Sequence, residues 1–243
     1  MGTIAWLAVL VLATPAAADP LRIVLDPGHG GSNLGAAGAV DGVLEKRLTL
    51  AIARLVRDEI LQLSPEADVG LTRDDDRFVT LSKRADVANQ AGATAFVSLH
   101  LNASHDRRQS GLETYVHGQG TLIEPGERDP QGIDDGVREI LADLCREATL
   151  AESAHLAALV QRHVAGALGP VGDRGIKRAP FDVLFESRVP SVLVEVGFID
   201  HAEEGPRMVD PDVQRVIARA IALALVEFGS RREAKRIIFA AHP

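Results

Sequence analysis

Three apolar runs in this 243-residue sequence each end in a residue able to bind a metal ion or move a proton. Ile23-Val24-Leu25 leads into Asp26-Pro27-Gly28-His29-Gly30-Gly31, Ala95 to Leu99 ends at His100, and Ser191 to Val194 ends at Glu195. Read as buried strands running parallel, they bring His29, His100 and Glu195 to one edge of a sheet, where open α/β folds place their ligands. Glu45 is a fourth candidate, because it opens a helix whose unpaired N–H groups favour a carboxylate. Taken alone, each has an ordinary reading: a glycine-rich turn with an incidental histidine, a first-turn acid, a buried carboxylate in an ion pair. Their agreement in position carries more weight than any one of them.

Two histidines and a carboxylate form a common ligand set for catalytic zinc, with a fourth position left for water. Such a water has its pKa lowered towards ~7 and can attack a carbonyl. Glu195 would take the water proton and pass it to a leaving amine. Val192-Leu193-Val194 is so apolar that a carboxylate at its end needs a specific partner. A dinucleotide fingerprint does not fit, because Asn33 stands where the third glycine would be. With Cys145 as the single cysteine there is no intrachain disulfide, so a metal site must use His, Asp and Glu. Cys145 itself reads as a small core residue on a helix.

The positioning elements follow from periodicity and breakers. Pro27 ends the first strand, since it has no N–H for a ladder. Leu48, Ala51, Ile52, Leu55, Val56 and Ile60 recur at helical spacing from Glu45 until Ser64-Pro65. Val69 to Thr72 reads as a strand, Thr80 to Ala91 as a helix bounded by Gly92, and Leu112 to Val116 as a strand. Gly118 to Gly132 reads as a loop. Helices are expected over 134–146, 152–168 and 212–228, and a short strand over 183–185. Strands alternating with helices predict an α/β three-layer sandwich, a mostly parallel central sheet with helices on both faces.

The formal charge of -8, from 26 Lys and Arg against 34 Asp and Glu, argues against a nucleic-acid partner. Ile4 to Ala13 is apolar and Ala16-Ala17-Ala18 fits a small-residue cleavage site, so residues 1–18 read as a signal peptide. The only positive charge ahead of the apolar run is the terminal amine, and an uncleaved anchor is the competing reading. Export to the periplasm is expected, with Asp19 as the mature N-terminus and no stable membrane anchor after cleavage. The catalytic domain is expected over 19–230, with 231–243 as a solvated basic tail.

At the four candidate residues the sequence resembles the zinc-dependent N-acetylmuramoyl-L-alanine amidases of bacterial cell walls. The resemblance rests on Asp26 to Gly31, then Glu45-Lys46 with Leu48 and Leu50. It continues through Leu71-Thr72-Arg73 with Asp76, Leu81 to Arg84 with Ala88-Asn89, and Phe96 to His100 with Asn102-Ala103. Gly111 to Tyr115, Pro190 to Glu195 and Gly197-Phe198-Ile199 complete it, in the family's order. It implies that His29, Glu45 and His100 hold one zinc ion and that Glu195 is the catalytic carboxylate. The implied reaction is hydrolysis of the amide joining the lactyl group of N-acetylmuramic acid to L-alanine in peptidoglycan.

The family usually shows Ser-Asn after Phe-Ile, and here Asp200-His201 stand there. His201 reads as a surface residue, and Arg73 and Arg84 as anchors of turns. Two alternatives remain: another zinc peptidase acting within the stem peptide, and a non-catalytic wall-binding module. The first would leave a different product, and the second predicts loss of a site residue, whereas all four are present. Ile140-Leu141, Asp143-Leu144 and Ala148-Thr149 resemble the end of the regulatory insertion of cell-division amidases, in which a helix covers the zinc until a protein activator moves it. Val137, Ile140, Leu141, Leu144 and Cys145 form one apolar stripe that must bury a face. Residues 118–148 are a candidate cover segment: the striped helix is expected to pack on the core, and 118–132 to form a reduced cover from which Glu124 or Glu127 could reach the open zinc position.

Overall fold

The structure, a computed structural model, describes residues 20–118, 133–169 and 172–241, with side chains described outside 133–143 and 236–241. Strand β1 (Arg22–Pro27) leads through a loop into helix α1 (Glu45–Leu63), then strand β2 (Asp68–Leu71), helix α2 (Leu81–Ala91) and strand β3 (Ala95–Asn102). Strand β4 (Leu112–His117), helix α3 (Ile133–Leu168), strand β5 (Asp173–Ala179) and helix α4 (Asp182–Phe185) follow. Strand β6 (Ser191–Phe198), helix α5 (Glu204–Met208) and helix α6 (Pro211–Ala241) complete the chain. The six strands lie in the order β2-β1-β3-β6-β4-β5. The first four are parallel, β4 is antiparallel to β6, and β5 is parallel to β4.

The two faces of the sheet are covered unequally. Ile23, Leu25, Val97, Leu99, Val192 and Val194 point to one face, where α1, α3 and α6 bury them against Ile52, Val56, Leu156, Val160, Ile221 and Leu225. Val24, Phe96 and Leu193 point to the other face, against Ala88 of α2 and Val183 and Leu184 of α4. That cover is short, 11 and 4 residues long. Side chains alternate along a strand, so the same face carries His100 and Glu195 further up, beyond the apolar cluster.

The helix boundaries expected for α1 and α2 hold. Ser64 closes α1, and Thr80 Oγ1 accepts the Lys83 N–H at the start of α2. Gly92, at φ 56°, closes α2 in the left-handed conformation. Four expectations are corrected. Residues 134–146 and 152–168 belong to one helix, because Glu147 to Ala151 contains no glycine or proline to break it. The strand expected at 183–185 is the short helix α4, and the polar edge strand β5 carried no apolar run to reveal it. Helix α6 continues through Arg231 to Arg236, and Lys235 Nζ lies 2.9 Å from Glu152 Oε1, so this stretch is not a free tail. Cys145 and Leu144 are exposed instead of buried, so that end of the stripe meets no partner among the described residues.

The cover expected over 118–148 falls partly on 119–132, outside the described residues, as do Glu124 and Glu127. Gly118, where it begins, follows β4 at the sheet edge opposite His100, because β4 descends from Glu113 beside Glu195 to Tyr115 beside Leu193. Residues 1–19 also lie outside the described residues. Among the described ones, no helix is long and apolar enough to cross a membrane.

A buried ion pair sits at the top of β1. Arg84 Nη1 donates to Asp26 Oδ1 at 2.6 Å, and the two side chains are 3% and 1% exposed. Ser98 and Thr72 donate to the same carboxylate. Removing one partner strands a buried charge, so Arg84→Met is expected to destabilise the fold by about 3–5 kcal/mol. Urea denaturation measures this, and a change below about 1 kcal/mol would contradict the role given to the pair.

Candidate active site

The turn after β1 is held in an unfavourable shape. His29 has φ 63°, rare for a residue with a side chain, and Gly30 and Gly31 follow at 122° and 55°. Two buried arginines fix it through the backbone. Arg73 donates to the carbonyls of Pro27 and Gly28, at 2.9 and 2.8 Å. Arg84 donates to those of Pro27 and His29, at 2.8 and 2.6 Å. Both therefore anchor the turn, as the sequence suggested. Gly28 is required for a different reason: a Cβ there would lie 2.4 Å from the His100 ring.

His29, Glu45 and His100 converge. Glu45 Oε1 lies 2.9 Å from His29 Nε2 and 3.0 Å from His100 Nδ1, and accepts the Leu101 N–H at 3.1 Å. Glu45 Oε2 accepts the Ala36 N–H at 2.8 Å, which fixes the carboxylate plane. Asn33 Oδ1 lies 2.9 Å from His29 Nδ1 and so aims Nε2 at Glu45. One ligand atom from each of the three residues lies within 4.8 Å of the others, and this is the one such group among the described residues. Burial opposes the charge on Glu45, yet the hydrogen bonds and charges of His100 and His29 hold its carboxyl far below the usual range. His100 is raised by Glu45 and Glu195 against the effect of burial.

Glu195 stands beside His100 in the strand register. Its Oε2 is buried and has no hydrogen-bond partner among the described residues. Burial pushes its carboxyl up to about 7, with the His100 charge opposing and the Glu45 and Glu113 charges adding. Two nitrogens and a carboxylate oxygen facing one another, with an orphaned carboxylate oxygen alongside, fit a divalent cation of the zinc type. The arrangement suits hydrolysis, with the three ligand candidates for a metal and Glu195 for the proton.

Four other histidines have different partners. His201 Nδ1 accepts the N–H groups of Glu203 and Glu204 and is half-buried. His163 lies 2.7 Å from Glu227, and His117 and His155 pack against Phe185 and Phe228. The sequence reading missed the weight of Glu113. A carboxylate within Leu112-Glu113-Thr114-Tyr115, at a position alternating with apolar ones, was the signal available.

Outer partners that orient a metal-binding histidine are worth about 10–100-fold in affinity. If His29 is a ligand, Asn33→Ala is therefore expected to weaken binding of added zinc by that factor without unfolding the protein. Competition with a chromogenic chelator measures it, and unchanged affinity would contradict the orienting role.

Residues 23–227 match the N-acetylmuramoyl-L-alanine amidase family. The N-acetylmuramoyl-L-alanine amidase CwlM of Bacillus licheniformis is 31% identical over 205 residues, 84% of this chain and 67% of that protein. AmiA of Escherichia coli is 31% identical over 224 residues, 85% of this chain and 75% of that protein. Among solved structures, the catalytic domain of CwlV from Bacillus (Paenibacillus) polymyxa superposes with a TM-score of 0.69 at 32% identity, covering 85% of this chain and 97% of that one. The CwlD amidase from Clostridioides difficile, solved in complex with the GerS lipoprotein, gives 0.68 at 25% identity, covering 86% and 98%. With its sheet, its helical layers and the length of the match all in agreement, the chain belongs to the N-acetylmuramoyl-L-alanine amidase family.

Proposed function

We propose that the chain hydrolyses the amide between the lactyl group of N-acetylmuramic acid and L-alanine in peptidoglycan, with zinc held by His29, Glu45 and His100. The observation that carries the residue roles is the buried Oε2 of Glu195, without a hydrogen-bond partner among the described residues, beside the three ligand candidates. Zinc, when bound, acidifies water and polarises the amide carbonyl. Asn33 keeps His29 Nδ1 engaged, so Nε2 remains available as a ligand. Glu45 brings the one negative charge of the ligand set, fixed by the N–H groups of Ala36 and Leu101. Glu195 takes a proton from the attacking water and delivers it to the amide nitrogen as the C–N bond breaks, so L-alanine leaves with a free amine.

Glu195→Gln keeps the shape and removes the proton acceptor. It should retain zinc and lose at least ~10²-fold in rate. Digestion of purified peptidoglycan with mass analysis of the products tests both parts. Peptides beginning with a free L-alanine are expected from the wild type, and cleavage inside the stem peptide would replace this reading with a zinc peptidase. Near-normal turnover by the variant would remove Glu195 from the mechanism.

The location and regulation belong to the same proposal. The apolar run Ile4 to Ala13 and the alanines before Asp19 support export to the periplasm, and N-terminal sequencing of the exported protein should begin at Asp19. A mature species that still carries Ile4 would exclude cleavage there. The lipoprotein bound to CwlD supports a protein activator for this chain. A reduced cover over the zinc site, drawn from 118–148, would have to reach from the far end of β4 back to His100.

A further inference from the structure

The row of side chains that holds His100 and Glu195 continues across the sheet. Glu113 stands opposite Glu195, and Glu113 faces β5, where Arg174 and Lys177 bind its carboxylate. Lys177 Nζ donates to Glu113 Oε1 at 2.5 Å; Arg174 Nε donates to the same oxygen, while the Tyr115 hydroxyl and Asn102 Nδ2 donate to Oε2. Glu113 is 2% exposed, and its four donors include two full positive charges. One cation balances one buried carboxylate. The second is not needed by Glu113, and the nearest other acid in the register is Glu195, on the neighbouring strand. Neither cation is sealed in, because the Arg174 and Lys177 side chains are 30% and 36% exposed. Arg174 is fixed over the Phe198 ring and Lys177 over the Tyr115 ring, so both are preorganised. An ammonium carries three donors, and hydrogen bonding to Glu113 occupies one of those on Lys177.

We propose that Lys177, with Arg174 beside it, forms a subsite for a free carboxylate on the peptide side of the scissile amide. The proposal rests on the amidase reading above. In a stem peptide whose second residue is a glutamate linked through its γ-carboxyl, the free α-carboxylate supplies that group. Glu113 holds the cations in place and lowers their charge to a net of one, which matches a single carboxylate. Lys177 and Arg174 are then specificity residues, and Glu113 is a positioning residue acting through them.

The test uses two soluble muramoyl peptides that differ only at this group, one with the free α-carboxylate and one with its carboxamide, cleaved by the zinc-loaded enzyme. A charge-assisted contact is worth about a tenfold preference. The wild type should show a KM about tenfold lower for the acid. Lys177→Met should lose that preference, Lys177→Arg should keep it, and kcat on the carboxamide should stay within about twofold throughout. Equal KM values in the wild type would overturn the subsite. A fall in kcat for both substrates alike in Lys177→Met would also overturn it, by reducing Lys177 to a support for Glu113. Failure of the wild type to cut either substrate at the muramoyl amide would overturn the amidase reading and the subsite with it, whereas cutting without preference would overturn the subsite alone.

Discussion

Three consecutive carbonyls, those of Pro27, Gly28 and His29, point at two buried guanidinium groups. Arg73 and Arg84 reach them from two different elements, the first after β2 and the second on α2. Without them, the left-handed backbone at His29 would relax, and the ring would leave Glu45. Asp26 balances Arg84, and Ser98 and Thr72 satisfy Asp26, so the charge pair is buried without an orphan. The clamp ties β1, β2, β3 and α2 to one point. It converts the stiffness of the sheet into the position of a single imidazole.

The sheet register sets the rest. His100, Glu195 and Glu113 are neighbours on adjacent strands, two of them acids side by side. Their surroundings drive them apart. Burial disfavours the ionised form of Glu113, but Lys177, Tyr115 and Arg174 hold its carboxyl below the usual range. Glu195 Oε2 has no donor among the described residues, and burial pushes the carboxyl up to about 7. Two carboxylates of one type thus take different characters, one a fixed charge and the other a group able to exchange a proton. Among the described residues the cover of the sheet is uneven, since α2 and α4 shield the lower part of that face and do not extend over its upper row.

The sequence made β1, β3 and β6 legible because each carries a largely apolar run, interrupted in β3 only by Ser98, closed by a polar residue or a breaker. The candidate residues were legible for the same reason, being the closing residues themselves or the first acid of α1. Strand β5, Asp-Arg-Gly-Ile-Lys-Arg-Ala, was not, because an edge strand carrying surface charge lacks the apolar pattern. Its Arg174 and Lys177 become informative only through Glu113, a contact 61 to 64 residues distant in sequence. The two helices expected from 134 to 168 are one because nothing between them stops helix propagation. Exposed Cys145 shows that an apolar stripe on a projecting helix does not identify its own partner.

The central claim is that the clamp and the register build a metal centre from His29, Glu45 and His100 while keeping Glu195 off the ion. Anomalous scattering at the zinc absorption edge from crystals of the zinc-loaded protein tests it most directly. One peak is expected at about 2.0–2.2 Å from His29 Nε2, His100 Nδ1 and a Glu45 oxygen, with Glu195 outside ligand distance. A peak ligated by Glu195, or one centred away from the His29 turn, would contradict it.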